Sequence, residues 1–259
     1  AGLSGEALGR GPSRAAERCG SGVTNPLVLL GFVPRGVPAP PAAPPHHCVP
    51  FGELSAIVIN ADTHNLERQA SDAILELAVT QNSLLSAYCE AHDVLPVALG
   101  AVFSCEAAVI EHLCSEESRI WQHWSGITGR AEYLVTLDLD SSIPEPAPRL
   151  QSGGVEYLRA RRRIRDDRAM QADRRLRCAS DICRTAVSCA ERHVVSRTGH
   201  GRLASLSLLV RRGDVGAMTE SMEDAASEAE KLGLLLRVIG PCAPTSFIEE
   251  GDEFVRTRA

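Results

Sequence analysis

The chain has a single lysine, Lys231, beside 26 arginines, and aromatic residues make up only 4% of its 259 positions. The arginine bias reads as the mark of a GC-rich genome and carries no functional weight. Basic charge is not in excess: 27 Lys+Arg face 33 Asp+Glu, a net charge of −6. That argues against a general nucleic-acid binder, whose backbone affinity needs a basic surface, and makes any basic partner site local. The nine cysteines are odd in number and contain no C-x-x-C pair. This excludes a zinc ribbon or a paired disulfide framework, so buried free thiols in a reducing cytosol are expected. The longest apolar stretches, such as PLVLLGFVP from Pro26 to Pro34, fall well short of the roughly 20 residues that cross a bilayer. The first 25 residues lack the continuous apolar segment of a signal peptide. A soluble intracellular protein without membrane contact is expected.

What is present suffices for a sizeable core: 44% of the residues are hydrophobic, enough for one large domain or two small ones. Residues 1–25 are rich in turn formers without periodicity and read as a flexible leader. LVLLGFV from Leu27 is a short buried strand. The proline-rich RGVPAPPAAPPHHCVP after it cannot donate a regular ladder and is expected as a loop or extended connector. ELSAIVIN, Glu53 to Asn60, is the next strand. Ala70, Ile74, Leu77, Leu84 and Tyr88 then fall on one helical arc and predict a buried face, with Gln81 in its middle needing hydrogen-bond partners. VLPVALGAVF, Val94 to Phe103, is a strand whose Pro96 implies an edge or a bulge. Two short helices break near Ser115 and end at Gly126 and Gly129.

The second half orders more cleanly. EYLVTLDLD (Glu132 to Asp140) is a strand, Val155 to about Ala190 a long helix, and HVVSRT and RLASLSLLV are strands around a turn at Gly199 to Gly201. Asp214 caps a helix through Lys231, and LLLRVIG closes with a strand. The order β-α-β-β-α-β is that of a ferredoxin-like sandwich. The fold class is therefore α+β in two domains: an N-terminal α+β domain over 26–129 and a C-terminal ferredoxin-like domain with a tail over 130–259.

Few constellations carry chemistry. Glu156 to Arg177 holds nine Arg and four acids. Nucleic-acid binding by this helix is the alternative function, but it would want interleaved aromatics and only Tyr157 is there. A solvated helix explains more: Arg162 with Asp166, Arg163 with Asp167, and Asp173 with Arg177 are i,i+4 pairs. Leu158, Ala169, Ala172, Leu176, Ala179 and Cys183 line the opposite face. Cys178 and Cys183 stand about 140° apart on that helix and cannot share a metal. Asp138 and Asp140 point to one side of a strand and could hold a hard cation in a metal-dependent enzyme, but a strand end entering the SSIPEPAP loop is the favoured reading. No phosphate-cradling glycine loop and no nucleophile elbow occurs. No metal site, no cofactor and no catalysis are expected. Trp121 and Trp124 share a helical face with Ile120 and Ile127 and read as core, with a partner groove as the minority reading.

Read in order, LVLLGFVP, ELSAIVIN, DVLPVALGAVF, EYLVTLDLD, YLRARRR, LSLLV and IGPCAPTSF resemble the gas vesicle GvpL/GvpF family from about Leu27 to Ile248. DVLPVALGAVF is similar to the family's v-L-P-x-x-F-G-t-v-f segment, and IGPCAPTSF to its G-P-W-P-P-Y-S-F close. The chain departs from the pattern at Ala98-Leu99, where Arg-Phe is common, and at Cys242, Ala243 and Thr245 of the closing motif. It departs again at Gln81, where many members carry a histidine. Polar and aromatic signature residues are replaced while the apolar frame is kept, as in a diverged paralogue.

The resemblance implies a non-enzymatic accessory or minor structural protein of the gas vesicle, cytoplasmic before assembly. It would bind the shell protein GvpA or other Gvp accessory proteins. In a ferredoxin-like sheet the closing strand lies at an edge, and an exposed edge is a template for strand addition. Gly240-Pro241 is expected to stop its ladder. The tail from Gly240 to Phe247 would cover that edge, present it, or pack on its own domain. Candidate partner-binding residues are Leu234, Leu236 and Val238 of the strand and Gly240, Pro241 and Phe247 of the tail. Trp121 and Trp124 are the next place to look.

Overall fold

The computed structural model describes residues 26–41, 43–60, 71–140, 154–196 and 201–248. The leader expected over 1–25, Ala70, the SSIPEPAP loop and the turn residues Gly199 and His200 lie outside them. The chain divides into two compact units. Among the described residues the first holds 26–41, 43–60, 71–87 and 95–126, and the second holds 88–94, 127–140, 154–196 and 201–248.

In the first unit five antiparallel strands form one sheet: β1 (Leu27–Pro34), β2 (His47–Phe51), β3 (Leu54–Asn60), β4 (Leu95–Pro96) and β5 (Val102–Phe103). Their order is β2-β3-β1-β4, with β5 also on β1. β1 is apolar almost throughout because both its faces are buried, and Leu29, Leu30, Phe32 and Val33 are fully inaccessible. β2 corrects the sequence reading. HCVPF pairs along β3 from His47 opposite Val58 to Phe51 opposite Leu54, and Pro50 is tolerated because β2 is an edge strand. The single strand expected over Val94–Phe103 is two short pieces, separated at Gly100 by a left-handed φ of 118°.

Helix α1 (Ser71–Cys89) buries Gln81, Leu84, Leu85 and Tyr88. Gln81 donates from Nε2 to Leu30 O at 2.9 Å and Val97 O at 2.8 Å, so its amide is satisfied between β1 and the segment after β4. The buried face is shorter than its periodicity implies, since Ile74 is 52% exposed. Gly31 on β1 admits β4: a Cβ there would stand 2.7 Å from Leu95 O. Helices α2 (Glu106–Ser115) and α3 (Glu117–Ile127) break at Glu116 and bury Val109, Leu113, Ile120 and Ile127.

In the second unit β6 (Arg130–Leu139), β7 (Arg192–Val195), β8 (Arg202–Arg211) and β9 (Leu234–Cys242) form an antiparallel sheet in the order β7-β8-β6-β9. Between them run α4 (Gly154–Ser188) and, after a 3-10 turn at Arg212–Asp214, α5 (Val215–Lys231). Asp214 sits at the N-cap of α5 but makes no side-chain cap bond. Strand alternation sends Ala131, Tyr133, Val135 and Leu137 of β6, with Leu206, Leu208 and Val210 of β8, to the helical side. There they meet Ile182 and Ala186 of α4 and Met218 and Met222 of α5. The opposite side carries polar residues that are nonetheless buried: Glu132, Thr136, Ser205 and Ser207.

Along the apolar face of helix α4, Ala179 is 6% exposed, while Leu158 and Leu176 are 63% and 59% exposed. Its 35 residues span about 52 Å at 1.5 Å per residue, against about 33 Å for a ten-residue strand. The helix outruns the sheet. Arg162–Asp166 at 3.8 Å and Asp173–Arg177 at 2.7 Å are paired as the spacing implies, but Arg163 and Asp167 are not among the ion pairs of the described residues.

The thiol expectation holds in part. Cys48, Cys89, Cys114, Cys178, Cys183, Cys189 and Cys242 are free, with Cys48 and Cys114 exposed rather than buried. Cys105 is disulfide-bonded, which overturns the expectation of free thiols throughout. Among the described residues no helix is long and apolar enough to cross a membrane.

Candidate functional site: the edge strand and closing tail of the second sheet

β9 pairs on one side with β6, and among the described residues no strand pairs with its other side. Its candidates separate by alternation. Leu234 is buried against Ala179, Ile182 and Ala229, and Leu236 packs at the margin of the same core. Leu234 is thus a core residue, and Leu236 is half-buried. Val238 is 39% exposed, and its neighbours Leu235 and Ile239, missed in the sequence reading, are exposed to 39% and 50%. Leu235 and Ile239 lie opposite Asp138 and Leu134 on the polar side of the sheet, and Arg237 opposite Thr136.

The ladder does not stop at Gly240-Pro241. It continues to Cys242 opposite Glu132, with the register shift of a bulge between Glu132 and Leu134. Gly240 is needed there: at φ 152° a Cβ would stand 2.6 Å from Tyr133 Cδ1 and 2.8 Å from Glu132 O.

Past the bulge the tail turns across the polar side of the sheet through a 3-10 turn, Thr245–Phe247. Ser246 N donates to Glu132 Oε2 at 3.0 Å, and Ser246 Oγ lies 2.6 Å from Glu132 Oε1 and 3.0 Å from Ser207 Oγ. Each hydroxyl carries one proton, so Ser207 donates to Ser246 and Ser246 donates to the carboxylate. Phe247 is 5% exposed, with the Arg192 guanidinium 5.4 Å from its ring centroid. The tail is thus tied to β6, β8 and β7 of its own unit. This decides among the alternatives for Gly240, Pro241 and Phe247: they pack on their own sheet and leave β9's outer side uncovered by the described tail.

The sequence reading missed Glu132, Ser207, Ser246 and Arg192. The available signal was the placement of Glu132 between inward-facing Ala131 and Tyr133, a carboxylate on the second face of a central strand. Trp121 and Trp124 lie half-buried on α3 in the first unit, where Trp121 Cζ2 would be 3.7 Å from a Cβ on Gly52.

The groups beside the tail have little nucleophilic capacity. Burial raises the Cys242 thiol, helped by the Glu132 charge. Cys89 is pushed up to about 12, mainly by burial and against the opposing Arg212 charge. Such thiols stay protonated and weakly reactive at neutral pH. Asp138 meets Arg202 at 2.9 Å and Arg237 at 3.9 Å, which occupies one carboxylate of the proposed cation pair. Among the described residues no three His, Cys, Asp or Glu converge as metal ligands.

A second network was also missed. Arg212 donates from Nε to Asp93 Oδ1 at 3.0 Å, from Nη1 to Cys89 O at 3.0 Å, and from Nη2 to His92 O. Asp93 Oδ2 in turn accepts from Gly129 N at 2.8 Å. One guanidinium thereby satisfies the carbonyls at the end of α1, where cationic donors are favoured.

The architecture is similar to that of two solved structures. One is the gas vesicle protein GvpF from Anabaena sp. PCC7120: 14% identity, 86% of this chain and 96% of that chain covered, TM-score 0.59. The other is GvpF from Microcystis aeruginosa: 15% identity, 86% and 99% covered, TM-score 0.61. At such identities the likeness speaks for the fold. No curated protein matches the sequence significantly. The family profile of the gas vesicle synthesis protein GvpL/GvpF matches residues 36–249, which takes in the first sheet apart from β1, the whole second sheet with its edge strand, and the closing tail. The chain is a member of the GvpL/GvpF family of gas vesicle synthesis proteins.

Proposed function

We propose that this protein is a non-enzymatic accessory or minor structural component of the gas vesicle that binds the shell protein GvpA or other Gvp accessory subunits and supports assembly. It acts from the cytoplasm and ends at the vesicle. Family membership over 36–249 carries the reading. The strand order β7-β8-β6-β9, with α4 and α5 on one face, supports taking the second unit as a ferredoxin-like sandwich. In that reading β9 is the docking edge, and a partner strand adds beside Leu235, Val238 and Ile239 through main-chain hydrogen bonds.

Pull-down with co-expressed GvpA tests it. The intact chain should recover GvpA above a control protein, and a Val238→Lys, Ile239→Lys double variant should recover less by about tenfold. Both residues are exposed, so the variant keeps its fold, checked by an unchanged melting curve. No enrichment by the intact chain counts against partner binding. Equal recovery by the double variant moves the docking surface away from β9.

A further inference from the structure

The first two-thirds of α4 stand in solvent. Over 155–177 no residue is buried, and Val155, Leu158, Met170 and Leu176 are 57–65% exposed. Single exposed apolar residues need no explanation, but four on one helical segment do. Tyr157, Leu158, Arg161, Ile164, Arg165 and Arg168 line one groove of this segment. Aliphatic and aromatic carbon there is flanked by guanidinium groups at intervals of three and four residues. The charge is lopsided as well. Glu156 to Arg177 carries nine Arg against four acids, +5, while the rest of the chain carries 18 basic against 29 acidic residues, −11.

We infer that this basic arm is a docking surface for an acidic amphipathic helix of a partner protein, laid along the Tyr157–Arg168 face with its apolar stripe on Leu158 and Ile164 and its carboxylates on Arg161, Arg165 and Arg168. Charge complementarity selects this occupant. The arm of a second copy is disfavoured because +5 would meet +5. Nucleic acid is disfavoured because the remaining −11 repels phosphate, because three aspartates (Asp166, Asp167, Asp173) sit within the arm, and because Tyr157 is its single stacking aromatic. An acidic helix uses both halves of the surface, the guanidinium forks and the exposed carbon between them. This surface is separate from β9 and does not depend on the shell-subunit reading.

The test is fluorescence anisotropy on the full chain with a labelled synthetic Leu/Glu amphipathic peptide of about 20 residues. Comparison probes are its Leu/Lys counterpart, polyglutamate and a short single-stranded RNA. The Leu/Glu peptide should bind best, with affinity falling as salt rises. Arg161→Glu, Arg165→Glu, Arg168→Glu together should weaken it at least about tenfold and transfer binding to the Leu/Lys peptide. Leu158→Ser should weaken it about threefold, which a purely electrostatic contact would not show. All four positions lie outside the core, and circular dichroism confirms that the variants fold. Undiminished binding by the triple variant, polyglutamate binding as tightly as the Leu/Glu peptide, or RNA binding more tightly than either would each overturn the inference.

Discussion

The two ends of α4 share one helical stripe and have opposite fates. At Ala179 and Cys183 the stripe packs against the core between the sheet and α5. From Leu158 to Leu176 the same angular sector is in water. Helical periodicity therefore reports that a segment is helical and amphipathic without reporting that its apolar face has anything to meet. The exposed end draws part of its support from local terms instead, with pairs such as Asp173–Arg177 worth about 0.2–0.5 kcal/mol each.

The sharpest way to break that comparison is to truncate one residue at each end. Ile182→Ala should cost about 2–5 kcal/mol in urea unfolding, because it removes buried methyl groups and leaves a cavity. Leu176→Ala should cost within about 0.5 kcal/mol. Equal losses would mean that the arm is packed in solution.

Next in size, Arg212→Ala should destabilise by about 1–3 kcal/mol, since it strands Asp93 and the carbonyls of Cys89 and His92. Arg212→Lys should recover only part, because an ammonium cannot reproduce the fork. Full rescue by lysine would reduce the network to simple charge.

Ser246→Ala should cost about 1 kcal/mol and raise amide exchange in the closing tail, while exchange in α4 stays unchanged. Uniform acceleration across the second unit would show that the tail is integral to its core rather than latched onto it.

The smallest effect at neutral pH belongs to Cys89, whose thiol shifts from 9.0 to about 12 on folding. Between these values the unfolded chain has released its proton and the folded chain has not, so stability falls as pH rises through that window and is unaffected below it. Cys89→Ser should flatten the alkaline limb of a melting-temperature profile. An unchanged limb would exclude this thiol as its cause.

Much of the candidate edge was legible in the sequence, and its details were not. LLLRVIG announces a strand, and the order of elements puts it last. Which of its residues face outward depends on register against β6, and the bulge at Gly240 shifts that register by one residue. The tail was readable as a break because glycine and proline punctuate it. Its latch needed Glu132, 114 positions earlier, to reach Ser246. Likewise HCVPF reads as a proline-rich connector until β3 supplies the ladder that makes it a strand.

By itself the sequence determined the helices and most of the strands, the α+β class and the family. These rest on local periodicity and on ordered apolar segments, which the chain carries whatever its tertiary contacts. Only the tertiary structure decided which parts of those segments are covered. Burial is a property of two surfaces meeting: Cys183 and Leu158 lie on one stripe of one helix, and what separates them is that the sheet ends between them.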